Sequence, residues 1–215
     1  LLKFRAAATE ERFRQSLPVL GNLLRASREL YDDWTKLPGM ECAFEDKGLL
    51  YLYRTAKSLD EGRHEADLVA EVGLSPRFMD QAEVQQLIPR VRSGIAGGIR
   101  YSEDAHLDPQ AFVLGMARQA EGNGAAFFDH TEAIGFKTAG REITTVKTTK
   151  GDIYPDQVVL ATGAWTPAVA RELELKIPIQ AAKGYSLTFR RPDWSPPMPL
   201  NLSEAKVAVT PMGSH

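Results

Sequence analysis

The residues best suited to chemistry lie where a predicted strand runs into a predicted helix. Val158 to Ala161 is a continuous apolar run typical of a buried strand, and Thr166 with Pro167 is typical of the N-cap and first position of a helix. Such a junction directs unpaired backbone N–H groups and the positive end of a helix dipole at one point, which suits a phosphate or pyrophosphate. A tight turn at Gly163 and a core position for Trp165 would explain the same residues equally well.

Other polar residues carry weaker signals for a site. The four histidines lack the paired spacing of metal ligands; they are His64, His106, His130 and His215. Glu103, Asp104 and Asp108 fit turn and helix-cap chemistry better than metal binding, so no metal site is predicted. The run Lys183-Gly184-Tyr185 places a cation and a phenol where they could meet a ligand, although a strand bulge explains it more simply.

Composition limits the class of protein. The chain has 215 residues, enough for one large domain or two small ones, and its 43% hydrophobic and 25% charged residues are ordinary for a globular protein. With 26 Lys+Arg against 28 Asp+Glu, the net charge of −2 argues against nucleic-acid binding and against a polybasic membrane patch. No apolar run approaches the ~18 residues of a membrane span. The single cysteine, Cys42, allows no internal disulfide and favours a reducing compartment.

The elements that must position these residues begin with a helix. Thr9 followed by Glu10 and Glu11 predicts its N-cap, and Pro18 is predicted to kink or divide it. Apolar residues at three- and four-residue spacing predict that one face packs against the core rather than against a partner protein. This stripe comprises Leu20, Leu23, Leu24, Ser27, Leu30, Tyr31 and Trp34.

The next part of the chain predicts strands separated by helices. Residues 48–55 and 94–101 are predicted strands, and 58–72 and 80–87 are predicted helices. The glycines of the second strand do not form G-x-G-x-x-G and no helix follows directly, so they are not interpreted as a dinucleotide-binding fingerprint. They indicate bends or a close approach of neighbouring backbone.

From Asp108 the pattern changes to that of an α/β unit followed by a meander. Asp108-Pro109 predicts the start of a helix that ends at 122–124, and Ala125 to Phe128 predicts a short buried strand. Further predictions are a meander over 134–138 and 142–149, a helix from Thr166 to about Leu173, and strands within 178–189 and 207–210. The change predicts two domains with discontinuous boundaries.

Several short segments carry a family resemblance through their order and spacing. They are Gly97-Gly98-Ile99-Arg100, Asp104-Ala105-His106-Leu107-Asp108-Pro109, Gly124-Ala125, Thr131 to Ala133, Val158 to Trp165 and Lys183-Gly184-Tyr185-Ser186. Together they resemble successive landmarks of the D-amino-acid oxidase and glycine oxidase superfamily of FAD-dependent oxidoreductases, over nearly the whole chain. Within it, the chain most resembles the small subunit of bacterial D-amino-acid dehydrogenase.

The resemblance implies a partial FAD-binding α/β domain with a meander, and a substrate domain built on a mostly antiparallel sheet with helices. It assigns 1–45 to a helical segment joining the domains, 46–107 and 178–215 to the substrate domain, and 108–177 to the FAD-binding domain. The family's N-terminal G-x-G-x-x-G unit and a C-terminal segment have no counterpart among these residues. The resemblance therefore predicts the central part of a longer polypeptide.

Family roles transfer to the residues that match. The resemblance implies that Ala133 meets the adenine end of FAD and that Ala161, Thr162, Gly163, Ala164 and Trp165 form a second FAD-contacting segment. Tyr185 and His106 are the predicted substrate-site residues, and no residue is a convincing catalytic acid or base. FAD is expected for the whole protein, with little or none bound by this chain alone.

The implied activity is oxidation of the amine of a D-amino acid. A hydride leaves the carbon that bears the amine for the flavin, and the imine hydrolyses to a 2-oxo acid and ammonia. The implied partners are the amino acid and an electron acceptor, either oxygen or a respiratory quinone, and a homo-oligomer is compatible with the sequence. The implied location is the cytoplasm, at the inner face of the membrane where electrons are delivered. A glycine- or sarcosine-type amine oxidase of the same fold and a non-catalytic truncated scaffold are alternatives.

Overall fold

The computed structural model describes residues 8–91 and 94–214. The chain divides into two compact units: unit 1 runs up to Asn123 and resumes at Thr188, and unit 2 is Gly124–Leu187. The helices are α1 (Glu10–Trp34), α2 (Ala56–Ala70), α3 (Gln81–Leu87), α4 (Pro109–Gly122) and α5 (Thr166–Arg171). The strands are β1 (Leu49–Tyr53), β2 (Pro76–Met79), β3 (Gly97–Tyr101), β4 (Ala133–Ala139), β5 (Glu142–Thr148), β6 (Gly151–Ile153), β7 (Leu200–Leu202) and β8 (Val207–Val209).

Unit 1 contains a five-stranded sheet with the order β2-β3-β1-β7-β8. The pairs are antiparallel apart from β1 with β7, which is parallel. The predicted class, an α/β part with a meander and a part built on a mostly antiparallel sheet with helices, is confirmed as a mixed α/β fold with one mixed, mostly antiparallel sheet and one antiparallel meander. The sequence pattern does not predict strands β2, β6 and β7, because each has only three or four residues, too few for a clear alternation.

Helices cover both faces of this sheet. On one face Tyr53 and Ile99 pack against Ala66 of α2. On the other face Leu50 and Leu52 pack in one buried cluster with Val84 of α3. Successive side chains of a strand point to opposite faces, so β1 supplies both layers of the core.

The glycines of β3 stand where neighbouring backbone comes close, as predicted. A Cβ on Gly97 would lie 2.7 Å from the carbonyl oxygen of Met79, and one on Gly98 would lie 3.0 Å from that of Tyr51. These are contacts that a larger residue could not make without moving a neighbouring strand. The glycines therefore serve the packing of the sheet.

Helix α1 begins at the predicted N-cap. The side chain of Thr9 accepts a hydrogen bond from the backbone N–H of Arg12. Pro18 does not divide the helix, because the many other hydrogen bonds of a 25-residue helix carry it past one missing donor. At its end Tyr31 and Trp34 contact Phe112 of α4, with ring centroids 5.0 and 6.4 Å apart.

The predicted burial of the α1 stripe is wrong for its leucines. Leu23 and Leu24 are 65% and 64% exposed, and Leu20 and Leu30 are also exposed. The helix is instead tied to unit 1 by ion pairs, such as Arg14 with Glu71 at 2.6 Å and Arg28 with Asp46 at 3.0 Å. An apolar stripe shows which face can be buried, and the neighbouring elements decide whether it is.

Unit 2 contains the predicted meander strands as β4 and β5, and a third strand, β6, that lies beyond the predicted segments; the strand order is β4-β5-β6. The strands predicted at 125–128, 158–161 and 178–189 are not formed. A strand requires a partner for its backbone hydrogen bonds, and no described residue pairs with these segments. Their apolar side chains are accordingly exposed; Phe128 is 65% and Val159 87% exposed.

Candidate functional site

The junction at 161–165 forms a turn rather than the end of a strand. A 3₁₀ turn covers Gly163–Trp165 and leads directly into α5. The backbone N–H of Trp165 donates to the carbonyl of Thr162 at 3.0 Å. The predicted N-cap role of Thr166 is wrong: Trp165 occupies the N-cap position, and Thr166 lies in the helix, where its hydroxyl accepts from the Thr162 hydroxyl at 3.0 Å.

Gly163 is required at this turn by its backbone conformation. Its φ is +53°, in the left-handed region, and no atom lies within 4 Å of the place where a Cβ would stand. Within 8–91 and 94–214, the N–H groups of Gly163 and Ala164 have no backbone or side-chain acceptor. Such unpaired donors suit an anion, although α5 has only six residues and adds less dipole than the predicted longer helix.

The side chains of this turn face solvent. Trp165 is 75% exposed, so it is not a core residue of unit 2. Ala161, Thr162, Gly163 and Ala164 are exposed as well. The turn therefore presents two free amides beside a large planar ring, an arrangement that fits a ligand combining an anionic group with an aromatic one.

Ala133 is the first residue of β4 and is exposed. It pairs with Thr148 of β5, and the register shifts directly after it. The adjacent backbone is held on both sides of the ladder: the N–H of Glu132 donates to the Thr149 hydroxyl at 3.1 Å, and the N–H of Thr149 donates to the Glu132 carbonyl at 3.0 Å. Ala133 is thus an exposed residue on a hydrogen-bonded backbone.

Tyr185 belongs to unit 2 and is 89% exposed. No strand forms around it, so the strand bulge considered for this run is not present. The Lys183 ammonium lies 5.3 Å from the centre of the Tyr185 ring, a cation–π contact between near neighbours.

His106 belongs to unit 1 and pairs with Glu45. The two residues form an antiparallel bridge with backbone N–O distances of 2.8 and 3.0 Å. The His106 side chain is 7% exposed, and its Nε2 lies 3.3 Å from Oε2 of Glu45. It faces a cavity of about 460 Å³, which is lined by Arg28, Tyr31, Phe44, Ala105, His106, Leu107, Pro109, Thr210 and Met212.

The electrostatics of this cavity keep the imidazole neutral. Burial lowers the pKa of His106 below its ordinary value of 6.5, and the Glu45 carboxylate opposes this only in part. The hydrogen bond from Lys47 lowers the pKa of Glu45, so that this carboxyl is charged near neutrality. A neutral imidazole can donate one hydrogen bond and accept one, which suits it to orienting a polar ligand.

Sequence reasoning missed the partners of His106. Glu45 is remote from it in sequence, and no spacing rule links the two. Arg28, whose guanidinium lies 5.0 Å from the centre of the Phe44 ring, is likewise placed in the cavity wall only by folding. Pairs of residues that are far apart in the sequence, such as His106 and Glu45, leave no local signal in it.

The described residues contain neither a metal-binding cluster nor a membrane-spanning helix. Within 8–91 and 94–214, no group of three or more His, Cys, Asp or Glu side chains could hold a metal ion. Over the same residues, no helix is long and apolar enough to cross a membrane.

Relatives of known name match the whole chain. A D-amino acid dehydrogenase of Methylobacterium nodulans is 32% identical over 222 residues, covering 100% of this chain and 52% of the relative. One of Cereibacter sphaeroides is 29% identical over 220 residues, covering 100% of this chain and 50% of the relative. The chain thus spans about half the length of these curated relatives.

Solved structures share the fold. Glycine oxidase from Bacillus cereus superposes with a TM-score of 0.74 at 19% identity, over 88% of this chain and 53% of the other. L-proline dehydrogenase from P. horikoshii superposes with a TM-score of 0.64 at 24% identity, over 71% of this chain and 40% of the other. The sequence model of the DAO family, described as FAD dependent oxidoreductase, matches residues 6–215. The chain therefore belongs to the DAO family of FAD-dependent oxidoreductases.

Proposed function

We propose that this chain is part of an FAD-dependent enzyme that oxidises the amine of a D-amino acid. The imine product hydrolyses to a 2-oxo acid and ammonia, and the electrons pass to oxygen or a respiratory quinone. The observation that carries the proposal is the match of the whole chain to proteins named D-amino acid dehydrogenase.

In this proposal the cofactor is held in part by unit 2. Ala133 meets the adenine end of FAD, and residues 161–165 form the second contact. The free amides of Gly163 and Ala164 and the exposed ring of Trp165 support this assignment, because FAD combines a pyrophosphate with planar rings. When bound, the flavin supplies the two-electron chemistry by accepting a hydride from the substrate.

His106 in unit 1 and Tyr185 in unit 2 are each proposed, independently of the other, as residues that contact the amino acid. A neutral His106 can donate or accept one hydrogen bond from the wall of its cavity. Residues 46–107 and 178–215 would then belong to the substrate domain, and 108–177 to the FAD-binding domain.

The FAD contact is tested by Gly163→Ala in the longest reading frame that contains this chain. An alanine in the left-handed region costs roughly 1–2 kcal/mol, so the turn should change shape and FAD affinity should fall by about tenfold in a flavin-fluorescence titration. Gly140→Ala is the matched control, because Gly140 also has a positive φ, +63°, and no atom within 4 Å of a Cβ. An equal loss of affinity in both variants would remove the turn from the cofactor site.

The activity is tested by reduction of an artificial electron acceptor with D-alanine, L-alanine, glycine and sarcosine, with and without oxygen. We expect turnover with D-alanine and little with L-alanine. Turnover with glycine or sarcosine alone would instead assign the amine-oxidase alternative. A purified protein that neither binds FAD nor reduces the acceptor would favour the non-catalytic scaffold.

A further inference from the structure

Unit 1 contains a second, larger cavity that shares no lining residue with the His106 cavity. It has a volume of about 930 Å³ and lies between α1, α2 and the strands β1 and β3. Three tyrosines from the strands, Tyr51, Tyr53 and Tyr101, form one wall. Apolar side chains form much of the rest; they are Phe13, Leu24, Leu68, Val69 and Leu74.

The phenols of this wall have unused hydrogen-bonding groups. Tyr53 is 5% exposed, yet its hydroxyl bonds to no residue of 8–91 or 94–214. The hydroxyl of the half-buried Tyr101 likewise bonds to no described residue. The Tyr101 ring packs edge-on against the Tyr51 ring, with ring centroids 5.8 Å apart. Both tyrosines line the cavity, so their hydroxyls offer a hydrogen-bond donor and acceptor to whatever occupies it.

The charged groups around the cavity are mostly acidic. The lining contains three carboxylates, Glu10, Glu65 and Asp104, beside Arg12 and His64. Glu10 is paired with Arg14 at 3.1 Å and with His64 at 3.2 Å. Glu65 and Asp104 have no ion pair with any described residue. Two carboxylates are therefore free to attract a cation.

The same carboxylates act on the phenols. Burial, Tyr51 and the charges of Glu65 and Asp104 together raise the pKa of Tyr101 to about 12. Burial and the charge of Glu65 also raise the pKa of Tyr53. The rings thus stay neutral, and their electron-rich faces are available to a cation.

We propose that this cavity binds an organic ammonium ion that carries an apolar body. The tyrosine rings, Glu65 and Asp104 hold the ammonium group, and the Tyr53 hydroxyl gains its missing partner. The apolar side chains of α1 and α2 cover the remainder of the ligand. An anion is disfavoured because the unpaired carboxylates of Glu65 and Asp104 outnumber Arg12, the one lining guanidinium, which has no ion pair with a described residue. A neutral apolar molecule would cover the Tyr53 hydroxyl without offering it a hydrogen bond. The site is separate from the proposed substrate residues and goes beyond the proposed function.

The test is calorimetric titration of the 215-residue chain with 2-phenylethylammonium, 2-phenylethanol and phenylacetate, which share one apolar group and differ in charge. We expect saturable binding of the ammonium ion, binding of the alcohol weaker by about tenfold, and no binding of the acid. Absence of saturable ammonium binding, or equal binding of phenylacetate, overturns the proposal.

Two substitutions locate the binding. Glu65→Gln should weaken ammonium binding by about five- to tenfold, whereas Glu61→Gln, which changes an α2 carboxylate paired with Lys57 outside the cavity, should leave it unchanged. Tyr53→Phe should also weaken binding, with a thermal midpoint close to that of the parent chain as the check on folding. Equal effects of Glu65→Gln and Glu61→Gln overturn the proposal. Because no step requires FAD or turnover, a failure here leaves the proposed function untouched.

Discussion

The two units bury their sheets in different ways. In unit 1 the central strands of the five-stranded sheet are covered on both faces, and Leu50 and Ile99 are 0% exposed, whereas the edge strand β8 is exposed. In unit 2 all three residues of β6 are exposed, and Leu187 and Val159 are 82% and 87% exposed. Unit 1 therefore closes a core from its own residues, whereas unit 2 holds apolar side chains where only further protein or a ligand could cover them.

The largest effect expected from this difference is on the free energy of unfolding, when one leucine in each unit is replaced by alanine. Leu50→Ala should lower the free energy of unfolding by about 2–5 kcal/mol, because it removes buried methyl groups and leaves a cavity. Leu187→Ala, at an exposed position, should change it by less than about 0.5 kcal/mol. Urea denaturation followed by circular dichroism measures both, and similar losses would show that unit 2 has a core of its own.

The next largest effect is expected from a substitution that tests how tightly α2 packs on the sheet of unit 1. A Cβ on Gly62 would lie 2.4 Å from the hydroxyl oxygen of Tyr53, so Gly62→Ala should cost about 1–3 kcal/mol through overpacking. Gly122→Ala, with no atom within 4 Å of its Cβ, is the control and should be neutral or slightly stabilising. Thermal unfolding of the two variants measures these changes in stability. If Gly62→Ala left the stability unchanged, the Tyr53 ring would have to move aside freely.

A third test concerns the attachment of the last strands to α2. The Glu204 carboxylate accepts hydrogen bonds from the N–H groups of Arg54 and Thr55, at 2.8 and 3.2 Å, and from the Ser58 hydroxyl. Glu204→Gln should cost about 1 kcal/mol, the usual value of a helix cap. Glu61→Gln, at an exposed i,i+4 pair on the same helix, is the control.

The same carboxylate predicts a pH dependence. Desolvation raises the pKa of Glu204, but the bonds from Ser58, Arg54 and Thr55 outweigh it and leave the pKa below 4.5. A lowered folded pKa gives stabilisation that is complete above 4.5 and is lost as the pH falls through the folded value. The midpoint of thermal unfolding of the parent chain should therefore fall towards that of Glu204→Gln in acid; a constant gap between them would contradict this account.

The smallest effect is expected in the meander of unit 2. The Lys137 ammonium lies 2.8 Å from the Asp152 carboxylate across exposed strands, so Lys137→Ala should cost no more than about 0.5 kcal/mol and less at high salt. Lys147→Ala, which removes an unpaired lysine of β5, is the reference. Amide hydrogen exchange of β4 and β5 measures the change, and a large loss would identify this pair as a main support of the meander.

Much of the fold was predictable because its signals are local. Thr9, Asp80 and Asp108 each cap a helix with their side chains, and the glycines of β3 mark close backbone contacts. The meander was predicted from its turns. The strands predicted at 125–128 and 158–161 are not formed, because strand formation is not a local property. Apolar residues favour a strand, but its backbone hydrogen bonds must come from a second segment.

The features of the candidate site also divide into those that the local sequence predicts and those that it does not. The turn at Gly163 could be located from the sequence, since a glycine before a helix-starting proline is a local pattern. The exposure of Trp165, the approach of the His106 imidazole to the Glu45 carboxylate, and the tyrosine wall of the larger cavity could not, because each depends on which distant segments fold against one another.

The sequence by itself determined the helix starts, the turns, the two kinds of sheet and the family, since these depend on residues close together or on their order along the chain. Only the tertiary structure decided which apolar faces are covered and which polar groups meet. Burial and pairing arise from contacts between segments that no local spacing relates, which is why apolar patterns form a core at β1 and β3 and an exposed surface on α1 and around Val159.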